Sequence, residues 1–183
     1  MTQSPTERRR RELLLGEWAC LGVLYEGRNH GFAVASMLRP GGELGRVWSL
    51  SRALTYRSLD QLAERGLVRD VGQEPGIAGG NRTVLATTRA GRSKLRDWLE
   101  TPVEHLRDLR SELLLKLLIA ERCDIDVTPM LQRQREIVVE SARTIGGDAH
   151  SVPNAGAEVV ELWRREASTA ALRFLDQLLA RQG

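Results

Sequence analysis

Arg52, Leu54, Tyr56, Arg57, Ser58 and Gln61 fall within RALTYRSLDQLAE, residues 52–64, and these side chains could do chemistry on a nucleic acid. Arginine donates two parallel hydrogen bonds to guanine or to a phosphate, glutamine pairs with adenine, and serine serves either base edge or backbone. Leu54, Arg57, Ser58 and Gln61 recur at helical spacing and would form one mixed polar and basic side. Tyr56, Leu59, Leu62 and Ala63 would form a buried stripe opposite, and a helix of this kind suits the major groove. Taken alone, the stretch is more simply an ordinary amphipathic surface helix. Its flanks change that reading.

Covalent chemistry has little to work with. His30, His105 and His150 lie in separate segments without ligand spacing, and no nucleophile stands beside a base. His30, next to a helix start, reads as a cap or a packing residue. Cys20 and Cys123 are far apart, each in a helical pattern, and read as small buried hydrophobes rather than a disulfide. We therefore expect no catalytic residue, no metal, no cofactor and no enzyme activity.

The elements that would hold the arginines follow from punctuation and periodicity. Leu14, Trp18, Leu21 and Tyr25 give a first helix over 12–26, buried along one side and ended by Gly27. His30-Gly31-Phe32 opens a shorter second helix with Phe32, Ala35 and Leu38 facing inward, and Pro40-Gly41-Gly42 breaks it. Ser51 caps the third helix, the one bearing the arginines, and Gly66 supplies its left-handed stop. Strands over 68–71 and 82–86 then flank a loop with four glycines and a proline. A hairpin directly after a recognition-type helix is the layout of a winged helix, with Asn81 and Arg82 placed for phosphate or minor-groove contacts. That loop lacks G-x-G-x-x-G and a G-K-[ST] ending, which excludes a nucleotide-binding loop. Thr88 caps a fourth helix with Leu95, Trp98 and Leu99 on its apolar side, ended by Thr101-Pro102.

The second half differs. Leu106, Leu109, Leu113, Leu117 and Ala120 step as one helical stripe that Leu114 and Leu118 widen. Thr128-Pro129 starts another helix with Leu131, Val138, Ala142 and Ile145 as its spine, and Gly146 to Pro153 reads as a loop. A last helix over about 156–181 would be about 37 Å long. In it Val160, Trp163, Ala167, Ala170, Phe174 and Leu178 form a heptad-like seam, with Val159, Leu162, Leu175 and Leu179 as a second apolar edge. So much apolar perimeter calls for a partner chain, a closed bundle within one chain being the alternative.

The formal net charge is +3, unevenly spread: 1–100 hold sixteen basic against eleven acidic residues, and 101–183 hold eleven against thirteen. The basic half is the one with the arginine helix, as phosphate binding requires. Arg8, Arg9, Arg10 and Arg11 add a basic run, either a solvated helix start or a phosphate-contacting arm. The N-terminus is polar before any apolar run, and the apolar stretch 13–25 contains Glu17 and is too short for a bilayer. We expect a soluble, reduced, cytoplasmic protein without a membrane partner.

With these residues in view, the chain resembles the PadR family of bacterial transcriptional regulators over about 12–182. The likeness rests on Leu13-Leu14-Leu15-Gly16, His30-Gly31-Phe32, Tyr56, Leu59, Leu62, Glu64-Arg65-Gly66-Leu67, Arg82, Thr88 with Gly91, and RSELLLKLL from Arg110 to Leu118. The resemblance implies a mainly α fold with a small β-hairpin wing: a winged helix-turn-helix domain over 8–101 and a helical dimerisation domain over 102–183. It implies a homodimeric repressor on a near-palindromic promoter site in double-stranded DNA, released by a small apolar effector. DNA contacts would come from Arg52, Leu54, Tyr56, Arg57, Ser58, Gln61, Asn81, Arg82 and Arg8 to Arg11. Dimer contacts would come from Leu113, Leu117, Val160, Trp163, Ala167, Ala170, Phe174 and Leu178. Trp98 with Trp18 is the candidate effector pocket, the alternative being that all four tryptophans are core or interface anchors. The chain departs from the family at Ala53-Leu54-Thr55-Tyr56-Arg57, where members commonly read Gly-Ser-Leu-Tyr-Pro. A protein-interaction or effector-sensing module without direct DNA binding is the competing reading.

Overall fold

The computed structural model describes residues 12–76, 80–147 and 155–181. In order these form α1 (Leu15–Glu26), β1 (Asn29–His30), α2 (Gly31–Leu38), α3 (Arg52–Glu64), β2 (Val68–Pro75), β3 (Asn81–Thr87) and α4 (Arg89–Glu100). A 3-10 turn (Leu106–Asp108) and a π turn (Leu109–Leu113) follow, then α5 (Leu114–Arg122), α6 (Thr128–Gly147) and α7 (Ala155–Ala180). The chain separates into two units: residues 1–98 with 114–125, and residues 99–113 with 126–183. The segment 114–125, expected with the C-terminal region, thus groups with the first unit.

The first unit is a winged helix. Every residue of α1 from Gly16 to Tyr25 is buried, so this helix is the core post and not a surface helix buried along one side. Leu14, expected in its stripe, is its N-cap and is exposed. Its own N–H donates to Glu17 Oε2 at 2.7 Å, which is where the buried glutamate spends one oxygen. Small residues let neighbours approach the post: a Cβ at Gly22 would stand 2.6 Å from Ile119 of α5, and one at Gly16 would stand 3.0 Å from Leu50. Around it, Val34 and Leu38 of α2, Leu44 of the segment between α2 and α3, Leu59 and Leu62 of α3, and Leu95 of α4 are buried in the core.

The sheet has the order β1-β3-β2, all antiparallel. Strands β2 and β3 are the expected hairpin, longer than the sequence pattern indicated and bulged between Asp70 and Gly72, where Gly72 takes a positive φ. The glycine-rich stretch 77–79 lies outside the described residues. Strand β1, two residues long, was not foreseen; it pairs His30 with Val84. At the base of the wing Thr88 Oγ1 accepts from the Gly91 N–H at 3.1 Å, capping α4 as expected, and donates to the Gly66 carbonyl at 2.8 Å.

In the second unit, Gln134 of α6 closes both backbone groups of Val103, accepting from its N–H at 2.6 Å and donating to its carbonyl at 2.9 Å. Arg135 and Asp176 tie α6 to α7 at 2.6 Å. Among the described residues of α7, Leu175 and Ser168 are buried. Helix α6 runs on through Gly147, where a loop was expected, and residues 148–154 lie outside the description. The single stripe expected over 106–120 is interrupted: Leu113, Leu115, Lys116, Ile119 and Ala120 are buried, while Leu106, Leu109, Leu114, Leu117 and Leu118 are half-exposed.

Candidate nucleic-acid interface

Helix α3 starts where its hydrogen-bond chemistry dictates. The Ser51 hydroxyl accepts from the Leu54 N–H at 3.2 Å, and the Ser51 carbonyl accepts from both the N–H and the hydroxyl of Thr55 at 3.0 Å. With its hydroxyl satisfied, Thr55 is buried outright beside Leu59 and Leu62. The helix ends at Gly66, φ +68°, whose N–H reaches the Ala63 carbonyl at 2.9 Å.

The buried stripe is therefore Thr55, Leu59 and Leu62: Leu59 and Leu62 are buried as expected, Thr55 takes the place expected for Tyr56, and Tyr56 and Ala63 are exposed. Tyr56 turns outward along α2, where a Cβ at Gly31 would stand 2.8 Å from its ring. Arg52, Leu54 and Arg57 are exposed as expected. Ser58 is half-buried and lies on the α1 side, 3.5 Å from where a Cβ at Gly16 would stand, and Gln61 is half-buried. These two were expected on the outward side; the structure turns Ser58 inward.

Phe32 was expected inside and is half-exposed, because α2 buries Val34, Ala35 and Leu38 instead. Its ring gathers cations. The Arg52 guanidinium lies 5.4 Å from its centroid and the Arg82 guanidinium 5.7 Å, while Arg52 also lies 5.7 Å from the Tyr56 ring. Arg82 reaches there from β3, where its register partner on β2 is Glu74. Beside these rings runs a groove of about 400 Å³ lined by Phe32, Ala35, Ser36, Arg39 and Arg52. Arg39 and Phe32 are the members of this surface that sequence reasoning missed; an aromatic following a helix-opening His-Gly reads as core by apolarity alone. Asn81 is exposed and donates to Gln73 Oε1 at 3.0 Å across the hairpin. Arg8 to Arg11 lie outside the described residues.

Trp18 and Trp98 stack with centroids 4.7 Å apart and planes 7° from parallel, so a flat ligand would have to displace one ring to enter between them. The Lys116 ammonium lies 4.9 Å from the Trp98 ring and is itself fully buried. Burial pushes the Cys20 thiol up to about 12 and the Cys123 thiol up to about 11. Among the described residues, no three His, Cys, Asp or Glu side chains are grouped to hold a metal ion, and no helix is long and apolar enough to cross a membrane.

Comparison with known proteins adds solved structures only. Bacillus subtilis PadR in complex with operator DNA matches with TM-score 0.45 and 20% identity over 89% of this chain and 97% of that one. The smu.1604c protein of Streptococcus mutans matches with TM-score 0.44 and 16% identity over 91% and 99%. A PadR-like transcriptional regulator of Bacillus cereus matches with TM-score 0.38 and 17% identity over 91% and 96%. No family model and no curated protein matches this chain.

Proposed function

We propose that this chain is a PadR-like transcription regulator that binds a near-palindromic promoter site as a homodimer and represses by occupying it. The observation that carries the reading is the outward side of α3: Arg52, Leu54, Tyr56 and Arg57 stand exposed on a buried Thr55–Leu59–Leu62 base, with Arg82 of the wing converging on the same aromatic ring as Arg52. Arginines held on π faces keep their N–H edges for phosphate and guanine. The seam of α7 supplies the partner surface: Val160, Trp163, Ala170 and Phe174 are exposed in the single chain, and Ala167 and Leu178 are half-exposed. Leu113 is buried within its own chain and makes no part of that surface. Two recognition helices held about 34 Å apart would meet successive major grooves. A small apolar effector would release the DNA by parting Trp18 from Trp98.

The test is a duplex titration with promoter fragments from the protein's own upstream region against random duplex. We expect a specific site, an affinity that falls steeply with salt, and a loss of about 1–3 kcal/mol confined to one base position for Arg57→Ala. A uniform loss across sequences would make Arg57 a phosphate contact. No duplex binding at about 50 mM salt would reject the proposal in favour of a protein-interaction module.

A further inference from the structure

His30 carries a conflict that only a third group resolves. Its Nδ1 accepts from the Ala33 N–H at 3.1 Å and so caps α2. Nε2 of the same ring lies 3.4 Å from Arg82 Nη1. A neutral imidazole has one lone pair and one N–H, and a guanidinium only donates. Two donors therefore reach for one lone pair. The backbone cap, the shorter of the two, takes it, which puts the ring proton on Nε2 and sets it against the arginine N–H. Charging the ring makes both nitrogens donors and removes the cap as well. What the pair lacks is an acceptor.

We propose that His30 Nε2 and Arg82 Nη1 together bind one phosphate oxygen, and that in the DNA complex this oxygen belongs to the backbone beside the wing. The proposal rests on the DNA-binding reading above. An oxygen about 2.8 Å from each nitrogen closes a triangle on the 3.4 Å base, the ordinary length for a charge-assisted bond. The two donors are brought together by the unforeseen strand: β1 pairs His30 with Val84, two residues along β3 from Arg82. Arg82 is steadied over the Phe32 ring, which the Arg52 guanidinium also approaches. The oxygen resolves the donor conflict without disturbing the cap.

His30→Asn separates this role from folding, because asparagine caps a helix as well as any residue but is too short to reach the anion. The experiment uses the full chain with ¹⁵N-labelled histidine, titrated first with inorganic phosphate and then with duplex, alongside duplex affinities for His30→Asn, Arg82→Gln and the double variant. We expect the His30 Nε2 signal to shift with both ligands, more with duplex. His30→Asn should bind duplex about fivefold more weakly, alike for every sequence, with its salt dependence unchanged because a neutral donor displaces no counterion. Arg82→Gln should lower the salt slope by about one. The double variant should lose less than the product of the two, since both hold one oxygen. Duplex binding that leaves the His30 signal unmoved, a His30→Asn affinity equal to that of the parent, or multiplicative losses would overturn the clasp. A His30 shift with inorganic phosphate in a protein that binds no duplex would keep the clasp and sink the DNA reading instead.

Discussion

Trp163→Ala is the sharpest probe of the proposed paired assembly. Trp163 is 71% exposed in the single chain, on the side of α7 away from the buried Ser168 and Leu175. A buried tryptophan covers about 200 Å². The open 71% therefore leaves about 140 Å² to be covered by a partner, worth about 3.5 kcal/mol at about 25 cal/mol per Å². The alanine methyl and imperfect closure leave about 2–3 kcal/mol per subunit. A two-fold interface counts the change twice, so the dimer weakens by about 4–6 kcal/mol, or three to four decades of Kd. Sedimentation velocity on a dilution series from micromolar to nanomolar reads this directly. Because the ring contributes little within its own chain, the isolated subunit should keep its helical signal. A parent protein that is monomeric at micromolar concentration, or a variant that dimerises as the parent does, would refute the reasoning.

Three further outcomes follow from the first unit and the start of α6. Gly91→Ala places a methyl on the Leu67 carbonyl oxygen, backbone that cannot step aside, so α4 must lift from the wing base; we expect a loss of about 3 kcal/mol and a thermal midpoint about 10 °C lower by calorimetry. The Cys20 thiol, fully buried and pushed up to about 12, should react with alkylating reagents at neutral pH only as fast as the protein opens, and equal rates in native and denatured protein would contradict its placement. Two hydrogen bonds from Thr128 hold the Asp126 carboxyl below its ordinary value; its stabilisation is full above the ordinary carboxylate range and fades as pH falls through the lowered value. The melting curves of the parent and Asp126→Ala should accordingly differ near neutrality and converge in acid.

Local hydrogen-bond chemistry was the legible part of this chain. Ser51, Thr88 and Gly66 announce helix ends because a short hydroxyl or a missing Cβ acts within a few residues, and all three do so in the structure. What apolarity alone misread is which side chains face inward. Tyr56 counts as hydrophobic in a pattern, yet Thr55 is the buried residue, because the Ser51 carbonyl satisfies its hydroxyl and leaves it an inward-facing methyl. Phe32 likewise counts as core, but two arginines from distant segments give its ring faces an electrostatic use at the surface. Strand β1 had no signal to find: two residues carry no period, and their pairing depends on β3, more than fifty residues on.

The segment from Leu106 to Arg122 fails for a different reason. Its leucines step by three and four, as one uninterrupted helix would require, but the backbone passes through a 3-10 turn and then a π turn before settling into α5. Three residues per turn followed by more than four shift the phase of everything downstream. Leu113, at the end of the π turn, belongs to the second unit, whereas Leu115 and Ile119 are core residues of the first. One regular helix cannot keep a single face in register for two cores that make separate demands on it. The π turn changes the phase of the helix that follows it, and Leu117, the residue the regular stripe would bury, is left half-exposed while Lys116 goes inside under the Trp98 ring. A run of leucines dense enough to satisfy either phase conceals such a change, since almost any rotation still puts an apolar side chain inward.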